Sequence, residues 1–213
     1  MEDLLTKLET LKVVHLDEGM KLVQAYGGAA YPFDLLTWAV LNRSMSLTSA
    51  FITLMRELNY LAAVTLVRPQ LDNFLRFAAG WLVSDPHQFA IDILEGIPVR
   101  RQKASDGHFM TDRYLVDHFK GEHPWINRVY RETSGFVHLS EKHMFMNVKS
   151  IDQKTRAETM LISDKHDPVP PEIKREAILC FFEITVLVLH RTYSWRMTKD
   201  NPPGPAHEEP RSG

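Results

Sequence analysis

The chain has 213 residues, with 25 Lys+Arg against 27 Asp+Glu, 10 His, one Cys and 44% hydrophobic residues. That length and apolar share build one cored domain and exclude wholesale disorder, and one Cys excludes an intramolecular disulfide or a Cys-based zinc cluster. A formal net charge of −2 excludes a polybasic protein that holds nucleic acid by bulk electrostatics, so any cationic site is local.

Residues 2–25 repeat Leu4, Leu5, Leu8, Leu11 and Val14 at helical spacing and stop at Gly27-Gly28. Asp34 then caps a long helix, Leu35 to about Leu58. A third helix is predicted from Asn59 to Val83, kinked where Pro69 cannot donate to the Thr65 carbonyl. Ser84-Asp85-Pro86 ends it and caps a short helix to Leu94. Gly96 to Gly107 reads as a loop, followed by helices Thr111–Phe119 and Pro124 to about Lys142.

The period then changes. Met144–Val148 and Glu158–Ile162 flank a polar stretch and predict a β-hairpin, which needs helices to pack on. Pro168–Pro171 opens a last helix to about Met197. The predicted architecture is mainly α: a single bundle of about six to seven helices over 1–198, with a small appended β-hairpin at 144–162. The Pro-rich tail, 199–213, is expected to be disordered.

The acidic, amphipathic N-terminus has no signal-peptide pattern. The most apolar run, Ala177–Leu189, spans roughly 20 Å against a ~30 Å hydrocarbon core. The reading is a cytoplasmic protein with no membrane span. Glycine-rich phosphate loops, Gly-x-Ser-x-Gly and His-Glu-x-x-His are missing from the sequence, so no cofactor or metal is expected. The nearest metal-like group, His138, Glu141 and His143, converges only if the helix ends among them.

On the sixth helix, Ile126, Val129, Tyr130, Thr133 and Val137 form the core face, and Asn127, Arg131, Ser134, His138 and Glu141 the opposite one. Arg131 and His138, two turns apart, would bring a guanidinium beside an imidazole. That pair suits phosphodiester cleavage, the Arg holding a phosphate oxygen and the His moving the 2′-hydroxyl proton. The plain alternative is a wet helix face. Arg-to-His spacing of this kind arises roughly twice by chance in such a composition, and it occurs at Arg101/His108, Arg113/His118 and Arg131/His138.

The third helix carries Thr65, Arg68, Asp72 and Arg76 amid apolar neighbours. A buried Arg68–Asp72 pair is the favoured reading there. On the last helix Glu176, Glu183 and His190 share one line. Glu183, inside the apolar run, is expected to pair with an Arg from another helix.

Arg43, the segment Leu66-Val67-Arg68-Pro69-Gln70-Leu71-Asp72, and Tyr130-Arg131-Glu132-Thr133-Ser134-Gly135-Phe136-Val137-His138 resemble an uncharacterised family of bacterial all-helical domains. That family is distantly similar to the HEPN (higher eukaryotes and prokaryotes nucleotide-binding) superfamily. The resemblance covers residues 35–195. It implies a metal-independent endoribonuclease of a bacterial defence or toxin system, acting on RNA as a homodimer, with Arg131 and His138 catalytic and Glu132 the polar residue after the Arg. Two features depart from the pattern. Gly135 weakens the motif helix by ~1 kcal/mol relative to Ala, and Asp72 stands where Glu is expected.

The residues also leave a second reading open, a non-catalytic helical module that binds a partner protein or small ligand. In it Arg68, Asp72, Ser134 and Glu183 are binding or network residues. Arg100, Arg101, Lys103, Arg128, Arg131 and Lys142 would supply a local basic patch for the nuclease.

Overall fold

The computed structural model describes residues 1–138, 140, 143, 148–151, 158–160, 162–165 and 169–200. Helix α1, Glu2–Gln24, ends where Gly27 and Gly28 take φ of +66° and +82°, a backbone region open to residues without a Cβ. Helix α2, Pro32–Arg56, begins earlier than Asp34. Tyr31 is its N-cap and Pro32 its first residue, and the Asp34 carboxylate reaches back to accept the Tyr31 N–H at 2.8 Å.

The predicted third helix is broken one turn before Pro69. It forms α3, Tyr60–Thr65, and α4, Val67–Ala78, with Leu66 between them. Pro69 thereby sits in the first turn of α4, where a missing N–H is harmless. Helices α5 (Pro86–Leu94), α6 (Asp112–Phe119) and α7 (Trp125–Val137) follow. Helix α7 stops five residues short of the expected Lys142, and the Ser140 hydroxyl donates to the Gly135 carbonyl at 2.6 Å, satisfying one of its terminal acceptors.

Strands β1, Val148–Ile151, and β2, Glu158–Met160, pair antiparallel. The appended hairpin expected over 144–162 is not established by that pairing, since 144–147, 152–157 and 161 lie outside the described residues. Apart from these strands and the connecting loops, the described residues are helical.

Helix α8, Pro171–Asp200, is the central element and packs against α1, α2 and α4. Among the described residues it is the helix long and apolar enough to cross a membrane by length and composition. Its Ile178, Phe181, Ile184 and Val188 are nevertheless fully buried inside the bundle. Phe51 stacks on Phe181 at 4.2 Å, and Phe33 meets Phe77, Trp81 and Trp195. Gly80 lies flat on Phe33: a Cβ there would fall 2.4 Å from the ring.

Polar groups fix the register of this core. The His15 Nδ1–H donates to Leu11 O at 2.7 Å, so Nε2 accepts from the Ser44 hydroxyl at 2.8 Å. Burial holds the His15 imidazole below its ordinary pKa, consistent with a neutral ring. Gln70 Nε2 donates both to Ser44 Oγ and to Thr185 Oγ1, at 2.7 and 3.0 Å. Four helices, α1, α2, α4 and α8, are joined through that chain.

Lys199 corrects the expected boundary. Instead of opening the tail, it lies buried on the last turn of α8 and donates to Asp34 at 2.9 Å and to Leu22 O at 3.2 Å. The Trp195 indole N–H donates to the other Asp34 oxygen at 2.7 Å. Residues 201–213, the rest of the expected tail, lie outside the described residues. A buried ion pair whose lone pairs are engaged is tolerated, but losing one partner strands a charge. Asp34→Ala, or a chain ending at Thr198, is therefore expected to lose about 3–5 kcal/mol of stability, measured as a lower urea midpoint at unchanged slope.

Candidate functional site

The polar stripe of α4 forms a site, with different partners from those expected. Arg68 does not pair with Asp72. Asp72 instead binds Arg76 Nε at 2.7 Å and lies 3.5 Å from Arg43 on α2. In an i, i+4 pair, the acid N-terminal to the base is the favoured order, and Asp72–Arg76 has it where Arg68–Asp72 does not. Arg68, with its side chain 16% exposed, turns across to α6 and α7. Its Nη2 donates to Asp112 at 3.3 Å, and its Nη1 to Tyr130 O at 3.3 Å and Ser134 Oγ at 3.2 Å. The guanidinium carbon lies 3.6 Å from the Tyr130 ring centroid, a stacked cation–π contact.

Asp112 is the hub, and sequence reasoning missed it. Its second oxygen accepts from Arg76 Nη2 at 2.8 Å. It occupies the first position of α6, after the Thr111 N-cap, where the helix dipole favours a negative charge. The Thr-Asp start was readable as a helix cap, but nothing in the spacing linked residue 112 to residues 68 and 76. The whole set, Arg43, Asp72, Arg76, Asp112 and Arg68, alternates in sign along a line from α2 to α7. Three guanidiniums and two carboxylates leave one positive charge in excess. Their donors are directed at one another, so the arrangement clamps α6 and α7 onto α4 and offers no ready base or nucleophile. Ser134 is likewise engaged: its hydroxyl donates to Tyr130 O at 2.8 Å.

Arg131 and His138 are not brought together in a cleft. Both are exposed. Helix α7 ends at Val137 with His138 as its C-cap: the His138 N–H still donates to Ser134 O at 3.4 Å, and the chain leaves the helical path after it, at φ −110° and ψ 147°. The Ile126-Tyr130-Ser134 ridge packs toward α4, leaving Arg131 on the outer side. The predicted core face holds for Ile126, Val129 and Thr133, whereas Val137 is 49% exposed. The His138/Glu141/His143 group includes Glu141, outside the described residues. Among the described residues no cluster of His, Cys, Asp or Glu has metal-holding geometry.

Glu183 corrects another expectation. It is exposed, because only one side of α8 enters the core, and it therefore needs no Arg partner. Arg128, assigned to the basic patch, instead pairs with Glu176 at 2.8 Å.

Glu183, Glu176, Glu132 and Arg128 share a place that sequence did not reveal. They rim a groove between α3, α7 and α8 with a cavity of ≈ 490 Å³, walled by Tyr60, Val64, Val67, Trp125, Val129, Phe136, Ile173, Ala177, Leu179 and Cys180. Burial first, then Glu176, pushes the Cys180 thiol up to about 12, and burial pushes the Tyr60 phenol to about 12. Both are held protonated at neutral pH, so neither wall residue is a ready nucleophile. Glu183, exposed beside the Glu176–Arg128 pair, makes the rim acidic above an apolar floor.

Comparison with protein-family models, curated proteins and solved structures returns no match. The HEPN resemblance accordingly rests on the short motifs alone.

The Arg68 contacts are of the charge-assisted kind, and losing them leaves part-buried partners short of a donor. Arg68→Ala is expected to lose about 2–3 kcal/mol of stability. Arg68→Lys should recover less than half of that, since an ammonium cannot reproduce both the fork and the stacking. Denaturant unfolding of the two variants checks both numbers.

Proposed function

We propose that this chain is a non-catalytic helical binding module and that its ligand lies in the groove between α3, α7 and α8. The observation that carries this reading is the groove itself: ≈ 490 Å³, apolar inside and rimmed by Glu132, Glu176 and Glu183 against Arg128. That volume lies within the range of small-molecule sites, which combine an apolar lining with a few polar groups that set orientation. The chemistry selects a ligand with an apolar body and a cationic end. The body would displace water from Val64, Val129, Phe136 and Ala177. The cation would sit at the acidic rim, where Glu176 is already shared with Arg128 and Glu183 is exposed.

The metal-independent nuclease is the weaker reading. It asks for Arg131 and His138 at one concave spot, whereas both are exposed and neither lines the groove. Arg68 and Ser134, which would have supported such a site, are engaged with Asp112 and Tyr130.

The test compares decylammonium, decanol and decanoate as probes. Binding of each probe is read by isothermal titration calorimetry. Affinity is expected to follow the order ammonium, alcohol, carboxylate, and Glu183→Gln should narrow the gap between the first two. Equal affinity for all three, or no binding, would remove the groove as a cation-selective site. Metal-independent RNA cleavage that His138→Ala abolishes would restore the nuclease.

A further inference from the structure

The end of α5 and the loop that follows it, residues 94–111, bring exposed apolar side chains and unpaired cations together. Leu94, Ile97 and Phe109 are 65, 39 and 53% exposed. Arg100, Arg101 and Lys103 are exposed as well, and among the described residues none of the three is engaged by a carboxylate. None of these six residues lines the α3/α7/α8 groove.

Local structure fixes where the side chains stand. Helix α5 closes in a Schellman turn: the Ile97 N–H donates to Asp92 O at 2.8 Å and the Gly96 N–H to Ile93 O at 3.0 Å, with Gly96 at φ +85°. Leu94 and Ile97 flank that turn. Further on, the Met110 N–H donates to Gln102 O at 3.0 Å and the Ala104 N–H to His108 O at 2.9 Å. This pattern makes Lys103 and Phe109 a directly opposed antiparallel pair, with both side chains on one side. Gln102, Ala104 and Met110 alternate with them and are buried, so the Lys103–Phe109 side faces out. The Lys103 ammonium lies 5.2 Å from the Phe109 ring centroid.

The two turns are tied side by side. Gln102 Nε2 donates to Ile97 O at 3.3 Å, next to the C-terminal end of α5. The Ser105 N–H donates to Leu82 O at 2.7 Å, just ahead of the N-terminal end of the same helix. The loop therefore runs along α5, with Val99 and Met110 buried beneath it.

We infer that this loop docks the chain onto a bilayer surface carrying anionic headgroups, as a surface contact and not a span. Shape is the first observation that favours a bilayer. The apolar tips come from separate turns with cations between them. A bilayer interface takes such tips into the acyl boundary while Lys and Arg heads stay among the headgroups, their stems lying along the apolar layer. The Lys103–Phe109 contact is that arrangement in one pair. An RNA strand would use the cations and the Phe109 ring, but would leave Leu94 and Ile97 without a role.

Charge is the second. Within residues 94–110 the acidic side chains are Glu95 and Asp106. Asp106 is turned back onto the loop and α6, accepting from the His108 N–H at 3.0 Å and the Tyr114 hydroxyl at 2.8 Å. Three unpaired cations then stand against Glu95. Lys and Arg close to an anionic leaflet are attracted over about one Debye length.

Flotation of the full chain with phosphatidylcholine vesicles, with and without an equal part of phosphatidylserine, tests this. The chain is expected to float with the mixed vesicles, and ~1 M salt should release most of it. Leu94→Ser and Phe109→Ser are each expected to weaken the partitioning about tenfold, and Arg100→Gln about fivefold. Helical circular dichroism should stay unchanged in all three, since each side chain is exposed. No flotation with the mixed vesicles, or equal flotation with phosphatidylcholine alone, overturns the proposal. So does a Phe109→Ser chain that floats like the wild type. Binding of a single-stranded RNA that Phe109→Ser abolishes, without flotation, would also overturn it and assign the loop to nucleic acid.

Discussion

A single carboxylate, Asp112, held between two guanidiniums of α4 sets where α6 and α7 stand. Arg68 and Arg76 reach it from positions 68 and 76, and Arg68 continues to Tyr130 and Ser134 on α7. Helix α7 supplies one wall of the groove, so the groove depends on that clamp. Partly exposed ion pairs contribute little singly, but Arg68 is mostly buried, and its stacking on Tyr130 adds direction to the charge. Charges that would be read as chemistry thus act mechanically, and the chemistry passes to an apolar surface beside them.

The body to which α7 is attached is fixed in another way. Helices α1, α2, α4 and α8 share a mainly apolar core, and hydrophobic packing alone leaves their axial positions soft. The His15–Ser44–Gln70–Thr185 chain and the Asp34–Lys199–Trp195 cluster remove that freedom, because a slip of one residue would leave buried donors without acceptors. Helix α8 can then be apolar on its inward side yet present Glu176 and Glu183 to the groove.

The helical class, most helix positions and much of the core are legible in the sequence, because period and punctuation are local. Pro86 after Asp85, Thr111 before α6 and Gly27-Gly28 after α1 each mark a boundary through their own backbone chemistry. The break near Pro69 falls three residues earlier than the proline itself, since a proline is best accommodated in a first turn and the chain unwinds before it. Helix α7 ends sooner than its pattern suggests, because amphipathic spacing continues to His138 and Glu141. The terminating contact, Ser140 to Gly135, is made by a side chain from beyond the helix.

Partner choice is the part that stays hidden. The sequence offers Asp72 to Arg68, but the geometry assigns Asp72 to Arg76 and Arg68 to Asp112, 44 residues away. Glu183 reads as buried because its neighbours are apolar, although only every third or fourth residue of α8 turns inward. The groove has no sequence signal at all, since its walls come from α3, α7 and α8.

Backbone hydrogen exchange with and without decylammonium tests most directly whether the groove, and not the charge cluster, is the binding element. The account predicts slower exchange in α7 and in the first half of α8, with the amides around Asp72, Arg76 and Asp112 unchanged. Slowing confined to the α4 stripe and the start of α6, with α7 and α8 unaffected, would contradict it.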